Sequence, residues 1–245
     1  SKTFCDPAAG NGNFLVVVIH AYSSTTNSAV VTGVTDTASN TYNKAFGAYR
    51  TGGTTEERTE IWYAENITGN AANVTTAAFT SSSSLRYISV AEFSGVATSS
   101  SLDDTASAAM VTQTTHSSGN ATSSATGGLI IGALNLVSTE DITVGVGFAA
   151  LTLDLTTVFY LSEYLVLGAA GDYAADCTTG TTSSSFMACA IFKAAGGVTA
   201  TSNFGLNIGD AWKDISSTYL NVNDVWKPVT DKYINIGDDW RPKHA

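Results

Sequence analysis

The sequence predicts an all-β fold, a two-sheet sandwich of jelly-roll or immunoglobulin-like outline followed by a small region of β-hairpin repeats. Three observations carry this. Apolar runs of strand length recur every ten to fifteen residues between Ser, Thr, Asn and Gly stretches; no window shows 3.6-residue periodicity with caps; and the C-terminus repeats itself at a fixed fourteen-residue period. Short, turn-separated strands of this kind bury their apolar sides by packing sheet on sheet.

Taken in order, Lys2 to Cys5 reads as a short edge strand ended by Asp6-Pro7. A turn at Gly10-Asn11-Gly12 leads into Asn13 to Tyr22, whose unbroken apolar run marks a central strand buried on both faces. Val30 to Thr35, Tyr42 to Tyr49, Arg58 to Ala64 and Asn73 to Phe79 follow. Leu85 to Phe93 alternates, with Leu85, Tyr87, Ser89, Ala91 and Phe93 on one side and Arg86, Ile88, Val90 and Glu92 on the other. Beyond a polar stretch, Ser94 to Asp104, a short strand is expected around Ala108 to Thr112. A Ser/Thr/Gly/Ala loop, Thr114 to Gly127, comes next. Gly128 to Leu136 opens like Asn13, by a turn feeding straight into a core strand. Thr143 to Phe148, Leu151 to Thr157, Phe159 to Leu167, Tyr173 to Asp176 and Ser185 to Lys193 complete the body, and Gly196-Gly197 is its boundary. The expected domains are therefore 1–196, the sandwich, and 197–245, the repeats.

In the tail, Asn207-Ile208-Gly209-Asp210-Ala211-Trp212-Lys213 returns as Asn221-Val222-Asn223-Asp224-Val225-Trp226-Lys227 and as Asn235-Ile236-Gly237-Asp238-Asp239-Trp240-Arg241. Gly209-Asp210, Asn223-Asp224 and Gly237-Asp238 suit two-residue turns that need positive φ, so each unit is a hairpin. With the turn there, Val222 pairs with Val225 and Leu220 with Lys227, while Asn221 pairs with Trp226 and Tyr219 with Pro228. Both faces then carry apolar groups, which a lone hairpin cannot hide. Trp212, Tyr219, Trp226, Tyr233 and Trp240 are the candidate binding residues. They read as packing positions of a small β domain, as sugar-stacking platforms, or as the closing surface of an oligomer.

Of the 245 residues, 13% are charged and 44% hydrophobic, a composition that folds rather than staying disordered. Residues 1–200 hold 6 Lys and Arg against 15 Asp and Glu, so the body carries nearly all of the net charge of −10. An acidic surface repels phosphate backbones and excludes nucleic acid as the expected partner. The apolar runs, such as Phe14 to Ile19 and Phe186 to Phe192, are far shorter than a membrane span. The sequence opens at Ser1 without Met, so either Met is removed or residues precede it; no secretory signal is visible, and export stays open.

Chemistry-bearing residues are sparse. His20 lies in the most apolar run and is expected to be a satisfied core group, whereas His116 and His244 read as solvated. No G-x-S-x-G, H-E-x-x-H or phosphate-loop pattern occurs, and no cofactor is expected. Glu56, Glu57 and Glu60 in a polar loop and strand start, with Asp103-Asp104 and Glu140-Asp141 in turns, read as solubilising surface charge. Their alternatives are an acid and base acting on glycans or, for the turn Asp pairs, oxygen ligands to calcium. Cys5, Cys177 and Cys189 show no zinc spacing; Cys177 and Cys189 bracket a presumed turn, Thr178 to Ser185, and are expected as buried free thiols, with a hairpin disulfide as the alternative. Asn66, Asn73 and Asn120 begin glycosylation sequons by pattern only.

Five phrases carry a resemblance: Gly12-Asn13-Phe14-Leu15-Val16-Val17; Val31-Thr32-Gly33-Val34-Thr35-Asp36; Glu60-Ile61-Trp62-Tyr63-Ala64; Ala91-Glu92-Phe93-Ser94-Gly95-Val96; and Gly127-Gly128-Leu129-Ile130-Ile131-Gly132-Ala133. Together they resemble a sandwich module of structural proteins of tailed bacteriophages and of some bacterial surface proteins, and the Trp-Lys units are similar to repeats at the ends of phage tail and fibre proteins. The resemblance brings no catalytic residues. It implies a non-enzymatic virion or surface protein, oligomeric or joined to other virion proteins, with a host glycan as a further contact. The alternative is a carbohydrate-binding module of a secreted or surface protein, with the tryptophans as platforms.

Overall fold

In the computed structural model the described residues are 2–4, 12–24, 30–52, 55–70, 72–80, 85–152 and 155–195, and the six C-terminal strands 204–207, 212–215, 219–222, 225–228, 233–236 and 239–242, whose backbone alone is described, as it is for 2–4 and 51–52. The chain divides into two compact units, Ser1–Gly196 and Gly197–Ala245. Every regular element among the described residues is a strand.

The first unit runs β1 (Lys2–Phe4), β2 (Phe14–Ser23), β3 (Val31–Asp36), β4 (Asn43–Gly52), β5 (Thr55–Ala64), β6 (Asn73–Phe79), β7 (Leu85–Phe93), β8 (Leu102–Ser117), β9 (Ala121–Ser123), β10 (Leu129–Glu140), β11 (Ile142–Val144), β12 (Ala149–Ala150), β13 (Val158–Val166), β14 (Gly171–Tyr173) and β15 (Asp176–Phe192). Two antiparallel sheets form the sandwich: β4-β5-β2-β7, and β11-β15-β10-β13-β12 with β8 paired to β15. Between them Phe14, Val16, Val18, Ile61 and Tyr63 of the first sheet meet Leu129, Ile131, Ala133, Ala190 and Phe192 of the second. Each fully buried Val, Leu, Ile or Phe among them stabilises the fold by about 1.5–3 kcal/mol.

Strands β2 and β10 are buried on both faces, as their unbroken apolar runs predict. The second face of β2 (Leu15, Val17, Ile19) is covered by a third sheet, β1-β6-β3, through Val31, Val34, Ala77 and Phe79. The second face of β10 (Ile130, Leu134, Leu136) packs with Ile142, Leu161, Leu167, Ala175 and Met187. Both strands are entered in the same way. Gly12, at φ 101°, and Gly127, at φ 78°, turn the chain in a conformation that disfavours L side chains, and their N–H groups donate to Ile67 O and Leu167 O, each at 2.9 Å. The alternation read in β7 also holds: Tyr87 and Phe93 meet Tyr160 and Tyr164 of the opposite sheet, while Ile88 and Val90 face the third sheet.

Three expectations are corrected. The short strand at Ala108 to Thr112 is part of one sixteen-residue strand, β8, which begins in the expected polar stretch at Leu102 and takes in only the start of the expected loop, Thr114 to Ser117, with a brief strand β9 beyond. The presumed Thr178 to Ser185 turn is the interior of β15, seventeen residues long, whose register against β8 shifts between Thr178 and Ser183. Leu151 to Thr157 contributes no strand among its described residues, and β12 is only Ala149–Ala150. Ser and Thr fill both long strands because β8 is an edge with much of its side-chain surface in water, where hydroxyl residues suffice and the ladder supplies the stability.

Because Cys177 and Cys189 stand twelve positions apart along one extended strand, no disulfide can join them, and both are free and buried. Burial pushes both thiols up, away from the thiolate that reacts. Iodoacetamide should therefore leave Cys177 and Cys189 unmodified in the native protein and alkylate both in denaturant, as read by peptide mass mapping; native labelling of either would contradict their placement. Cys5 lies outside the described residues.

The second unit holds β16 (Phe204–Asn207), β17 (Trp212–Ile215), β18 (Tyr219–Val222), β19 (Val225–Pro228), β20 (Tyr233–Ile236) and β21 (Asp239–Pro242), paired as three separate antiparallel hairpins. The register is the one that the two-residue turns imply: Tyr219 opposite Pro228, Leu220 opposite Lys227, Asn221 opposite Trp226 and Val222 opposite Val225.

Candidate functional site

The tail residues singled out in the sequence occupy equivalent positions in the hairpins. Trp212, Trp226 and Trp240 each stand opposite an asparagine, Asn207, Asn221 and Asn235, and Tyr219 and Tyr233 stand opposite Pro228 and Pro242. The side chains of all five candidates, the turn residues between paired strands and His244 lie outside the described residues.

In the sandwich the informative element is β5. Its register against β2 sets Thr59 beside His20 and Glu57 beside Tyr22, and alternation sends Glu56, Arg58, Glu60 and Trp62 to one face and Glu57, Thr59, Ile61 and Tyr63 to the other. Glu56, Glu57 and Glu60 are not surface charge: they are 1%, 5% and 0% exposed. Nor do they converge, since Glu57 faces away from the other two. The correction follows from the strand starting at Thr55 rather than Arg58, which carries the first two carboxylates into the sheet.

On the outer face a row of charges compensates itself. Arg58 pairs with Glu56 on one side and donates to Glu60 Oε1 at 3.3 Å on the other. Glu60 also takes Lys44 Nζ at 3.4 Å and the Trp62 indole N–H at 2.7 Å. Gly47 makes room for it, because a Cβ there would come within 3.3 Å of Glu60 Cγ.

The inner face opens into a cavity of about 490 Å³ between β2, β5 and β7 on one side and β10 and β13 on the other. Tyr22, Tyr87, Phe159 and Tyr160 wall it, and the Tyr87 and Tyr160 rings lie 4.0 Å apart, centre to centre. Arg50, Thr55, Glu57 and Asn135 are among its polar lining. Glu57 Oε1 accepts from Arg50 Nη1 at 2.9 Å, whereas its buried Oε2 has no partner. His20 also borders the cavity, with Nδ1 3.0 Å from Thr59 Oγ1 and Nε2 3.1 Å from Ser162 Oγ. Burial lowers its pKa to about 3, so the ring is neutral, one nitrogen donating and the other accepting. It is the satisfied core group that its apolar strand predicts.

His116 is not solvated. It is buried in β8, with Nδ1 2.5 Å from Ser185 Oγ and Nε2 3.1 Å from Thr179 Oγ1, and burial lowers its pKa despite Glu140. Glu163, on β13, is a buried carboxyl that sequence reasoning did not single out. Its Oε2 accepts from Gly145 N–H at 3.3 Å, its Oε1 has no partner, and burial pushes its pKa up to about 8. A lone Glu in an alternating Tyr/Leu strand gives no sign of its surroundings.

The remaining acidic residues act on backbone. Asp103 and Asp104, in β8 rather than a turn, accept from the N–H groups of Ser124 and Thr122. Glu140, at the end of β10, accepts from the Thr181 N–H and hydroxyl, and Asp141 from Thr157 N–H. Asn73 is buried and donates to Asp36, which removes one sequon from solvent. Among the described residues no three His, Cys, Asp or Glu groups stand together as a metal site, and no helix is long and apolar enough to cross a membrane. No protein-family model, curated protein or solved structure matches this chain.

Proposed function

We propose that this chain is a non-enzymatic structural protein of a tailed-phage virion, a capsid-decoration, head-fibre or tail component, joined through its C-terminal hairpins to copies of itself or to neighbouring virion proteins. The observation that carries the reading is the pairing of the last forty residues or so as three separate two-stranded hairpins in equivalent register. A two-stranded hairpin is marginal in water, and these sequences place apolar residues at positions of both faces. Cover from a partner makes such an array stable. The buried histidines of the sandwich support a non-catalytic role, since each sits between hydroxyls. Neither a nucleic acid nor a membrane suits the acidic body, and the virion, an extracellular particle, is the proposed location.

Deleting residues 201–245 should reduce the particle mass in solution by more than the mass of the removed segments and abolish incorporation into virions. Light scattering together with a particle-incorporation assay checks this; unchanged stoichiometry and unchanged incorporation would refute the proposal.

A second reading, a secreted or surface carbohydrate-binding module, draws on the same register, because an Asn-Trp pair recurs in every hairpin and joins a stacking ring to an amide. Titrating tryptophan fluorescence with host polysaccharides separates the two: platforms respond, packed rings do not.

A further inference from the structure

We infer that the outer edge of β8 is an assembly surface: its segment Val111 to Ser117 pairs antiparallel with the same segment of a second copy of this chain, about a two-fold axis at Thr114, so that one sheet runs across both molecules. The contact belongs wholly to the Ser1–Gly196 unit, needs nothing of the tail, and goes beyond the virion reading.

The direction of the backbone comes first. Among the described residues β8 pairs with β15 on one side, and residues 109–115 are exposed. The Thr179 hydroxyl of β15 lies 3.5 Å from Thr114 O, so Thr114 turns its backbone groups toward β15. By alternation Val111, Gln113, Thr115 and Ser117 turn their N–H and C=O groups to the open edge. Folded proteins blunt such edges with charge, proline, bulges or short strands. The other edges of the two sandwich sheets show these devices: β4 carries Lys44, Arg50 and a register shift between Lys44 and Phe46, β7 carries Arg86 and Glu92, and β11 and β12 have three and two residues. The first part of β8 is blunted too, by Asp103 and Asp104 and by a register shift that leaves Ala109 and Met110 outside the ladder. From Val111 on, these devices stop. The segment holds no Asp, Glu, Lys, Arg or Pro, its next register shift puts the extra residues on β15, and His116 is buried with both ring nitrogens on hydroxyls.

Charge and symmetry identify the occupant. Residues 1–200 hold 15 Asp and Glu against 6 Lys and Arg, so two copies repel each other over most of their surface, and the uncharged edge is where they approach at least cost. A foreign strand would find no charge along this segment to select it. A second copy brings the same neutral strand, and an antiparallel pair is its own complement under a two-fold axis. The axis falls at the centre of the unblunted run. Gln113 then stands opposite Thr115 of the second copy and Val111 opposite Ser117, each pair exchanging its outward N–H and C=O groups. Thr114 meets Thr114 of the second copy at a position without backbone bonds, where side chains come closest and threonine pairs are favourable. The run matches or exceeds the usual length of a strand, about 5–6 residues, and so forms a complete ladder.

The test uses the full chain carrying C5S, which leaves the buried Cys177 and Cys189 as its other thiols. T114C should form a covalent dimer on mild oxidation, because residues paired at such a position stand about 4.5 Å apart, within disulfide reach. A non-reducing denaturing gel reads this bond alone, since non-covalent tail contacts do not survive the detergent. V111C, also at an exposed position, is displaced from its own counterpart by about 20 Å in this register and should stay monomeric. Adding Q113K/T115K to T114C sets lysine opposite lysine twice and should lower the crosslinked fraction about tenfold, as should Q113E/T115E; mixing the two variants should restore it, because each lysine then opposes a glutamate. Both pairs are substitutions of exposed residues, and circular dichroism should show the parent spectrum. The inference is overturned if T114C gives no dimer, if V111C crosslinks as readily, or if the mixture stays as monomeric as its components. Should a charged variant fail to fold, T114C against V111C decides alone. Loss of the crosslink leaves the tail deletion result untouched, and the reverse holds too, so the two contacts fail separately.

Discussion

Replacing Arg58 with methionine should destabilise the sandwich by about 3–5 kcal/mol, the cost of leaving buried charge without its partner. Arg58 is the bridge of the outer row on β5: it pairs with Glu56 and donates to Glu60, two carboxylates that are 1% and 0% exposed. Methionine keeps the apolar stem and removes the guanidinium, with its N–H donors to Glu56 and Glu60 and its place over the Tyr49 ring. Glu60 retains Lys44 and the Trp62 N–H, but Glu56 Oε1 then loses the guanidinium, and its Oε2 already lacks a partner. Water cannot readily replace the guanidinium where the carboxylate has almost no surface. Adding E56Q to R58M removes the stranded charge and should recover half or more of the loss, because such pairs are nearly neutral when lost together and costly when broken. Urea unfolding of wild type, R58M and R58M/E56Q provides the measurement. A loss below about 1 kcal/mol for R58M, the value of an exposed pair, would mean that the row is wetter than its geometry.

That row shows where the sequence was legible and where it was not. The continuous apolar stretches Phe14 to Ile19 and Leu129 to Leu134 identify strands buried on both faces because only a middle layer tolerates them, and both are such strands. Period-two alternation placed Tyr87 and Phe93 on the correct side of β7, since a strand leaves no other choice once one face is fixed. Charge and hydroxyl content misled, and for one reason. Glu56 and Glu57 look solvated when read singly, yet Arg58 meets Glu56 from two residues along the same buried strand, and Arg50 reaches Glu57, as Lys44 reaches Glu60, only through sheet pairing with β4, which composition does not encode. Ser- and Thr-rich stretches likewise look like loops, but β8 and the first half of β15 are strands whose ladder comes from the backbone, and hydroxyls at positions 179 and 185 bury His116. The cavity was invisible for the same cause: Tyr22, Glu57, Tyr87, Asn135 and Tyr160 come from five strands of two sheets, and no local pattern joins them. The hairpin register, by contrast, is a local matter of turn length, and it agrees residue for residue.

Stability should be greatest near pH 6.5, between buried groups that titrate in opposite senses. Glu163 has its pKa raised from 4.5 to about 8 by burial, so between those values the folded chain keeps a proton that the unfolded chain has released. Unfolding free energy therefore falls as pH rises through that window, by about 1.4 kcal/mol per pH unit. His20 has its pKa lowered from 6.5 to about 3, again by burial. Its contribution is fully present above pH 6.5 and is lost as pH falls toward 3, because there the unfolded chain binds a proton that the folded chain refuses. Between 4.5 and 6.5 these two slopes cancel, and His116, also held low by burial, adds a loss as pH falls below 6.5; above 6.5 only Glu163 acts, giving a loss of about 2 kcal/mol by pH 8. Below 4.5 His20 dominates, joined by His116 and by Asp36, where hydrogen bonds from Asn73, Asn40 and Tyr42 outweigh a burial effect of opposite sign. E163Q keeps an acceptor for Gly145 N–H while removing the proton equilibrium, so its stability should be flat from pH 6.5 to 8 and should exceed wild type at the upper end. H20Q should make the acid-side slope shallower, leaving the part due to His116 and Asp36, and leave the alkaline one unchanged. Denaturant unfolding of the three proteins at half-unit pH intervals measures both slopes separately. An E163Q profile that runs parallel to wild type between pH 6.5 and 8 would show that Glu163 is ionised in the folded protein, and that the space around its unpartnered oxygen admits more water than the packing of β13 allows.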